Sequence, residues 1–269
     1  MKNLFFCFFA LSLLALSACK EEPIPIPDLS SGSHRLLVEE LTGVQCAQCP
    51  DGSIELENLV ETYGEENVIV VSIHAAQQFS VPFSTSQYDF RTDDGTAMAD
   101  FIGAPLAFPT AAFNRRTVNG SAFLLPSLWA STAASQLQTD YKLGLYLTTE
   151  YDSSSRKLHM KINATPENTL DGDLRLSILI TQDSIVDVQQ VNLVKVNNYT
   201  HRHVLRDVVT KTDGDPIGAL TGGEAFTFDY DVVLDPAWEA RHCSVVAFIH
   251  HSGTPDKEVL QAVQAHVTE

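Results

Sequence analysis

The chain has 269 residues, 44% of them hydrophobic and 19% charged, which is enough apolar material for a packed core and too much for a disordered chain. Its 17 basic and 34 acidic residues give a formal net charge of −17. A surface this acidic repels phosphate backbones and carries no basic stripe, so nucleic acid is excluded as a partner class, and anionic lipid would not be bound by charge.

In chain order, Lys2 precedes an apolar run from Leu4 to Leu16, and Ser17 and Ala18 lead into Cys19. The run is shorter than the roughly 20 apolar residues that a membrane-spanning helix needs. Residues 1–18 are therefore the expected signal peptide. Leu16-Ser17-Ala18-Cys19 resembles the lipobox of bacterial lipoproteins. That resemblance implies lipid attachment (palmitate and related acyl chains) at Cys19, once cleavage makes it the first residue. Lys20-Glu21-Glu22 resembles the lysine-plus-acids signal that sends some lipoproteins to the outer face of the outer membrane. Residues 19–35 hold Pro23, Pro25 and Pro27 and then Ser30-Ser31-Gly32-Ser33, the composition of an extended tether. No later segment is apolar enough to span a bilayer.

Arg35 to Thr42 reads as a strand ending at Gly43, and Cys46 and Cys49 follow directly. Leu56, Leu59, Val60 and Tyr63 recur at helical spacing up to Gly64. The uninterrupted run within Asn67 to His74 is that of a buried parallel strand. Together these form a βαβ unit with the cysteines at its first strand-to-helix turn. Gln77 to Gly95 reads as an irregular excursion, with a short helix expected over Thr96 to Ile102. Strands are expected over Ala111–Asn114 and Ala122–Leu125 around the hairpin signal Asn119-Gly120, and a helix from Pro126 to about Gln138. Beyond a boundary near Thr139–Tyr141 the pattern turns to strands, at 142–151, 156–164, 173–183, 202–211, 224–233, 242–251 and 257–267. The expected fold is a thioredoxin-like α/β domain over 36–139, followed by an all-β domain over 140–269 built as a β-sandwich, immunoglobulin-like or similar.

Cys46-Ala47-Gln48-Cys49 is the one sharp chemical signal. A structural zinc site would need a second ligand pair, and the sequence has none, so no metal or other cofactor is implied. A CxxC at the first βα turn reads instead as a redox motif. Phe108-Pro109-Thr110 ahead of a hairpin is similar to the cis-proline loop of thioredoxins. Glu40 stands six residues before Cys46, where thioredoxins carry a buried proton-relaying acid.

Val38-Glu39-Glu40-Leu41-Thr42-Gly43, Cys46-Ala47-Gln48-Cys49-Pro50, Ile73-His74-Ala75, Pro109-Thr110 with Asn114-Arg115, His203-Val204-Leu205-Arg206 and Val245 to Ile249 together resemble the 28-kilodalton outer-membrane-protein (Omp28-related) lipoproteins. The resemblance covers most of the mature chain. It implies an outer-membrane, lipid-anchored protein with a thioredoxin-like half and a β-rich half, in a family whose members are described as surface receptors or adhesins.

Two functions from different classes follow. In the first, the protein catalyses thiol–disulfide exchange with a protein thiol or disulfide substrate in the cell envelope. Cys46 attacks, Cys49 resolves, Pro109 shapes the docking surface and Glu40 moves a proton. In the second, it is a non-enzymatic surface binding protein, an adhesin or receptor component, and Cys46–Cys49 is a structural disulfide. Three features separate the motif from the thioredoxin pattern. Gln45 replaces an aromatic residue, Pro50 follows the second cysteine, and Asp51, Glu55 and Glu57 surround the pair with negative charge. Pro50 is expected as the first helical residue with Cys49 as cap, which favours the thiolate at Cys49. His74 is expected as a satisfied strand-end histidine, His201 and His203 as neighbours on one strand face, and Cys243 as an unpaired, inert core residue.

Overall fold

The computed structural model describes residues 34–75, 78–105, 107–140, 142–253 and 256–268. The expected signal peptide, Cys19 and most of the expected tether lie outside the described residues. The last two tether residues belong to the fold instead. His34 is buried with its Nε2 2.8 Å from Asn114 Nδ2, and Arg35 N donates to Gln261 Oε1 at 2.8 Å.

The described chain opens with β1 (Leu36–Leu41), α1 (Cys49–Tyr63) and β2 (Val68–Ile73). β1 and β2 run parallel, Leu36 opposite Val68 and Leu41 opposite Ile73, and every residue of both is buried. A parallel strand covered on both faces needs no polar alternation, which is why β2 reads as an unbroken apolar run. After the excursion comes α2 (Asp93–Ile102), where Thr92 caps the helix by accepting from Gly95 N at 2.9 Å. β3 (Thr110–Phe113) and β4 (Phe123–Leu124) flank a loop closed by reciprocal backbone bonds between Val118 and Ser121, around Asn119-Gly120. α3 (Trp129–Leu137) follows a single 3-10 turn at Pro126–Leu128.

The remainder comprises β5 (Leu143–Asp152), β6 (Lys157–Pro166), β7 (Leu174–Gln182), β8 (Ile185–Val191), β9 (Val194–His201), β10 (Val204–Val208), β11 (Asp215–Pro216), β12 (Phe226–Val233), β13 (Cys243–His251) and β14 (Val259–His266). Each expected strand has a counterpart, and β8, β9 and β11 are additional. His201 and His203, expected on one strand, are divided instead: His201 ends β9, and His203 lies in the turn to β10 with a φ of 54°.

The chain is mainly β, with mixed sheets. Its largest sheet has the order β14-β13-β7-β10-β2-β1-β3-β4, with β11 pairing to β7. Strands from both sides of residue 140 therefore share one sheet. They join where β10 lies parallel to β2 at Val204 and Ser72, with Ser72 N donating to His203 O at 2.8 Å. On one face of β1–β3, α1 and α3 pack Leu56, Leu59, Trp129 and Leu137 against Leu36, Val38, Val70 and Phe113. On the other face, Met98 and Ile102 of α2 meet Leu37, Leu41, Ile73 and Phe248. A second sheet, β12-β6-β5, covers the β7–β13 end, with Leu145, Met160 and Ile162 against Leu176, Ile178, Val245 and Ala247. β6 alternates buried with more exposed residues because its second face looks into water.

Candidate functional site

β1 delivers the chain into the turn that carries the cysteines. Gly43 makes that turn feasible, since a Cβ there would lie 2.3 Å from Phe79 O. The close approach lets Gln45 N donate to Phe79 O at 2.8 Å. Cys46 and Cys49 are joined as a disulfide with their Cα atoms 5.3 Å apart. α1 starts at Cys49 with Gln48 as cap and Pro50 in its first turn, one residue earlier than expected. Pro50 fits there because the first helical N–H groups have no partner within the helix.

The peptide between Phe108 and Pro109 is cis. The Pro109 ring lies over Gly52, whose added Cβ would sit 2.8 Å from Pro109 Cγ and 3.2 Å from the Trp129 ring. Gly52 thus lets the proline loop close on the first turns of α1. Beside it an open groove of about 670 Å³ runs between Gln48 and Asp51, Phe108 and Pro109, and Leu125 and Pro126.

On the other side of α1 lies a smaller cavity of about 270 Å³, whose walls include Glu40, Cys49, Ser53, His74, Tyr199 and His201. Glu40 is 1% exposed; its Oε2 accepts from Ser72 Oγ at 2.9 Å, and its Oε1 has no partner among the described residues. Burial pushes its carboxyl up to about 7, against the opposing pull of the Ser72 hydrogen bond. Glu40 can therefore hold or release a proton near neutrality. Burial holds His74 down to about 3 and His201 down to about 4, so both rings are neutral. His74 Nδ1 and His201 Nε2 also lack partners among the described residues, so His74, which has a hydrogen bond to the Ser72 backbone, is satisfied at one ring nitrogen only.

His203 and Glu57 stand at the same cavity, with His203 Nε2 3.1 Å from Glu57 Oε1. Burial works against the His203 charge, but the Glu57 hydrogen bond and the charges of Asp183 and Glu57 outweigh it and raise its pKa. The same hydrogen bond lowers Glu57. Arg202, with a side chain 55% exposed, adds a second positive charge near Glu57.

The β8–β9 hairpin covers the cysteine turn. Gln190 N donates to Val44 O at 2.7 Å and Asn192 N to Ala47 O at 2.8 Å. Gln189 Nε2 reaches both Gly43 O and Cys46 O at 3.2 Å. Cys46 is left 3% exposed and Cys49 1%.

The structure thus gathers Cys46, Cys49, Glu40 and Pro109 around the first turns of α1. The hairpin residues Gln189 and Tyr199 and the Glu57–His203 pair were not among the expected site residues. The alternations Val186-Asp187-Val188 and Val194-Lys195-Val196 are the only local signal for that hairpin. Elsewhere, His250 is buried beside Arg115 and bonded to Ser177 Oγ at 2.9 Å, and its pKa is pushed down to about 3, chiefly by burial. Cys243 is unpaired and buried, its thiol pushed up to about 11 by burial. Among the described residues there is no group of three or more ligating side chains that could hold a metal, and no helix long and apolar enough to cross a membrane.

A family model described as outer membrane protein Omp28 matches residues 100–269, a stretch that excludes the CxxC. Among solved structures, the chain is similar to HBP35 of Porphyromonas gingivalis, with a TM-score of 0.71 at 16% identity over 90% of this chain and 77% of that one. It is also similar to protein AGR_C_4864 of Agrobacterium tumefaciens, with a TM-score of 0.52 at 12% identity over 89% and 97% of the two chains. A domain of the outer membrane lipoprotein Omp28 from Porphyromonas gingivalis aligns over 47% of this chain and 88% of its own, at 19% identity and a TM-score of 0.32. At these identities the two better alignments speak for the fold alone. No curated protein matches the sequence.

Proposed function

The chain belongs to the Omp28 family of outer membrane proteins, and from that premise we propose that it exchanges thiols and disulfides in the cell envelope through Cys46 and Cys49. The observation that carries this reading is that Cys49 and the buried, half-partnered Glu40 line one cavity. A buried carboxyl whose pKa burial raises, at the same cavity as Cys49, suits the transfer of a proton to or from a thiolate. The placement of Pro109 over Gly52 supports it from the other side of α1. In the reaction, two substrate thiols become a disulfide as the Cys46–Cys49 bond breaks and the protein gains two thiols, or the reverse. The N-terminus of α1 stabilises a thiolate at Cys49, and Glu40 supplies or removes the proton.

In finer terms, we read residues 36–139 as a thioredoxin-like unit and residues 140–269 as a β-sandwich joined to it at the β2–β10 edge. We further read residues 1–18 as the signal and Cys19 as the acylated anchor, holding the folded part at the outer membrane with its outer face as the location. The test of function is disulfide exchange with a dithiol peptide, comparing the native chain with Cys46→Ala, Cys49→Ala and Glu40→Gln. Loss of exchange in both cysteine variants and a slower rate in Glu40→Gln are expected. Equal rates in all four, or no exchange in any, would sink the proposal.

The near-complete burial of both cysteines beneath β8 favours a second reading, a surface binding protein with a structural disulfide. Under it, the cysteine variants change stability alone, and protease shaving of intact cells removes the β-rich half together with binding.

A further inference from the structure

The two cysteines differ in what can reach them. The hairpin holds the Cys46 side through four hydrogen bonds on the carbonyls of Gly43, Val44, Cys46 and Ala47. Cys49, and not Cys46, lines the cavity that lies beyond α1. That cavity, about 270 Å³, falls at the lower edge of small-molecule pockets and is too small for a polypeptide segment. Three buried polar atoms on its lining residues, Glu40 Oε1, His74 Nδ1 and His201 Nε2, have no partner among the described residues, and the residues are 1%, 3% and 5% exposed. The same cavity offers both signs of charge, the Glu57 carboxylate on one side and Arg202 with His203 on the other. A small zwitterion that carries a thiol matches this set.

We propose that the cavity admits a low-molecular-weight amino thiol of the cysteine type, which attacks the disulfide at Cys49 because that is the sulfur it can reach, with Cys46 leaving even though the α1 N-terminus makes Cys49 the better leaving sulfur. This inference rests on the exchange activity proposed above and reverses the order of the two cysteines expected from the motif. The thiolate of the small molecule attacks Cys49 Sγ, a mixed disulfide forms there, and the Cys46–Cys49 bond breaks to leave a Cys46 thiolate that is protonated. A second small thiolate attacks the sulfur of the bound molecule. The free small disulfide departs and Cys49 takes a proton from Glu40. Two small thiols are oxidised to one disulfide as the protein disulfide is reduced to two thiols.

The experiment uses the full-length chain with Cys243→Ala to silence the spare thiol. Cys46→Ser and Cys49→Ser variants are each treated with cystine, and the mixed disulfide is followed by mass spectrometry. The thiol of Cys49 should be modified at least about tenfold faster than that of Cys46. Because removing either cysteine could disturb folding, a second arm keeps the disulfide intact. In it the oxidised chain is treated with cysteine, quenched in acid and mapped, with and without Ser53→Trp, which narrows the cavity. The adduct should map to Cys49, and Ser53→Trp should slow its formation about tenfold with the melting temperature kept. An adduct on Cys46, equal rates at the two cysteines, or indifference to Ser53→Trp overturns the inference. If the native chain exchanges with a dithiol peptide while the cysteine adduct maps to Cys46, only this inference falls. If the native chain exchanges with neither cysteine nor the peptide, the underlying exchange activity falls as well.

Discussion

Glu39 and Glu40 are adjacent on β1, both buried, and their surroundings could hardly differ more. Glu39 points into the face shared with β13, where Arg115 grips both its oxygens at 2.8 and 2.7 Å. The guanidinium in turn lies 4.9 Å from the Phe248 ring centroid and 5.4 Å from that of Phe101. That pair is closed and complete, and it ties β1 to the C-terminal strands. Glu40 is on the side of β1 that faces α1, with Ser72 on one oxygen and no partner among the described residues on the other. A buried carboxylate that is fully paired serves architecture; the half-paired one, at the same cavity as Cys49, is the acid on which the proposed exchange relies.

The largest expected effect comes from breaking the closed side. Arg115→Ala strands the Glu39 carboxylate and should cost about 3–5 kcal/mol in urea unfolding. Any of the variant that remains folded should keep its exchange rate. A loss of exchange at full stability would mean that the two faces are not separate.

The open side shows itself through pH. The Glu40 pKa is raised on folding from 4.5 to about 7, so between those values the unfolded chain binds fewer protons than the folded one. Its stability contribution is therefore complete below pH 4.5 and lost as pH rises through about 7, a decline on the order of 3 kcal/mol. Glu40→Gln should flatten that decline in unfolding measured from pH 5 to 8 and slow exchange. An unchanged pH profile would count against the proton-holding role.

A smaller effect is expected at the cover. Gln189→Ala removes the bonds to Gly43 O and Cys46 O and should cost about 1–2 kcal/mol. Combined with Cys49→Ser, which frees the Cys46 thiol, it should also raise the reactivity of Cys46 toward cystine and so narrow the difference between the two cysteines.

Much of the framework is legible in the residues. The β-branched run of β2, the helical spacing of Leu56, Leu59 and Tyr63 and the Asn119-Gly120 turn all act locally, so local pattern finds them. Glu40, Cys46, Cys49 and Pro109 could be named because their order along one βαβ-and-hairpin unit is similar to the thioredoxin pattern, and the structure sets all four around the first turns of α1. The hairpin at β8 and β9 escaped because its short, polar-rich alternation resembles a loop, and its hold on the turn, through two backbone N–H groups and the Gln189 side chain onto carbonyls of the turn, leaves no side-chain pattern. The Glu57–His203 contact joins residues 146 apart in the chain, so nothing local announces it. The joining of β10 to β2 likewise rests on a single residue pair, Val204 with Ser72. The change of pattern near Thr139–Tyr141 pointed to a domain boundary, and hydrogen bonding between β2 and β10 runs the sheet across it.

The most direct test is the reduction potential of the Cys46–Cys49 pair in the full-length chain, by thiol trapping across glutathione ratios. The expected result is a potential between roughly −120 and −270 mV, the span of working oxidoreductases. A potential below about −300 mV would mark a permanent staple and contradict the exchange function.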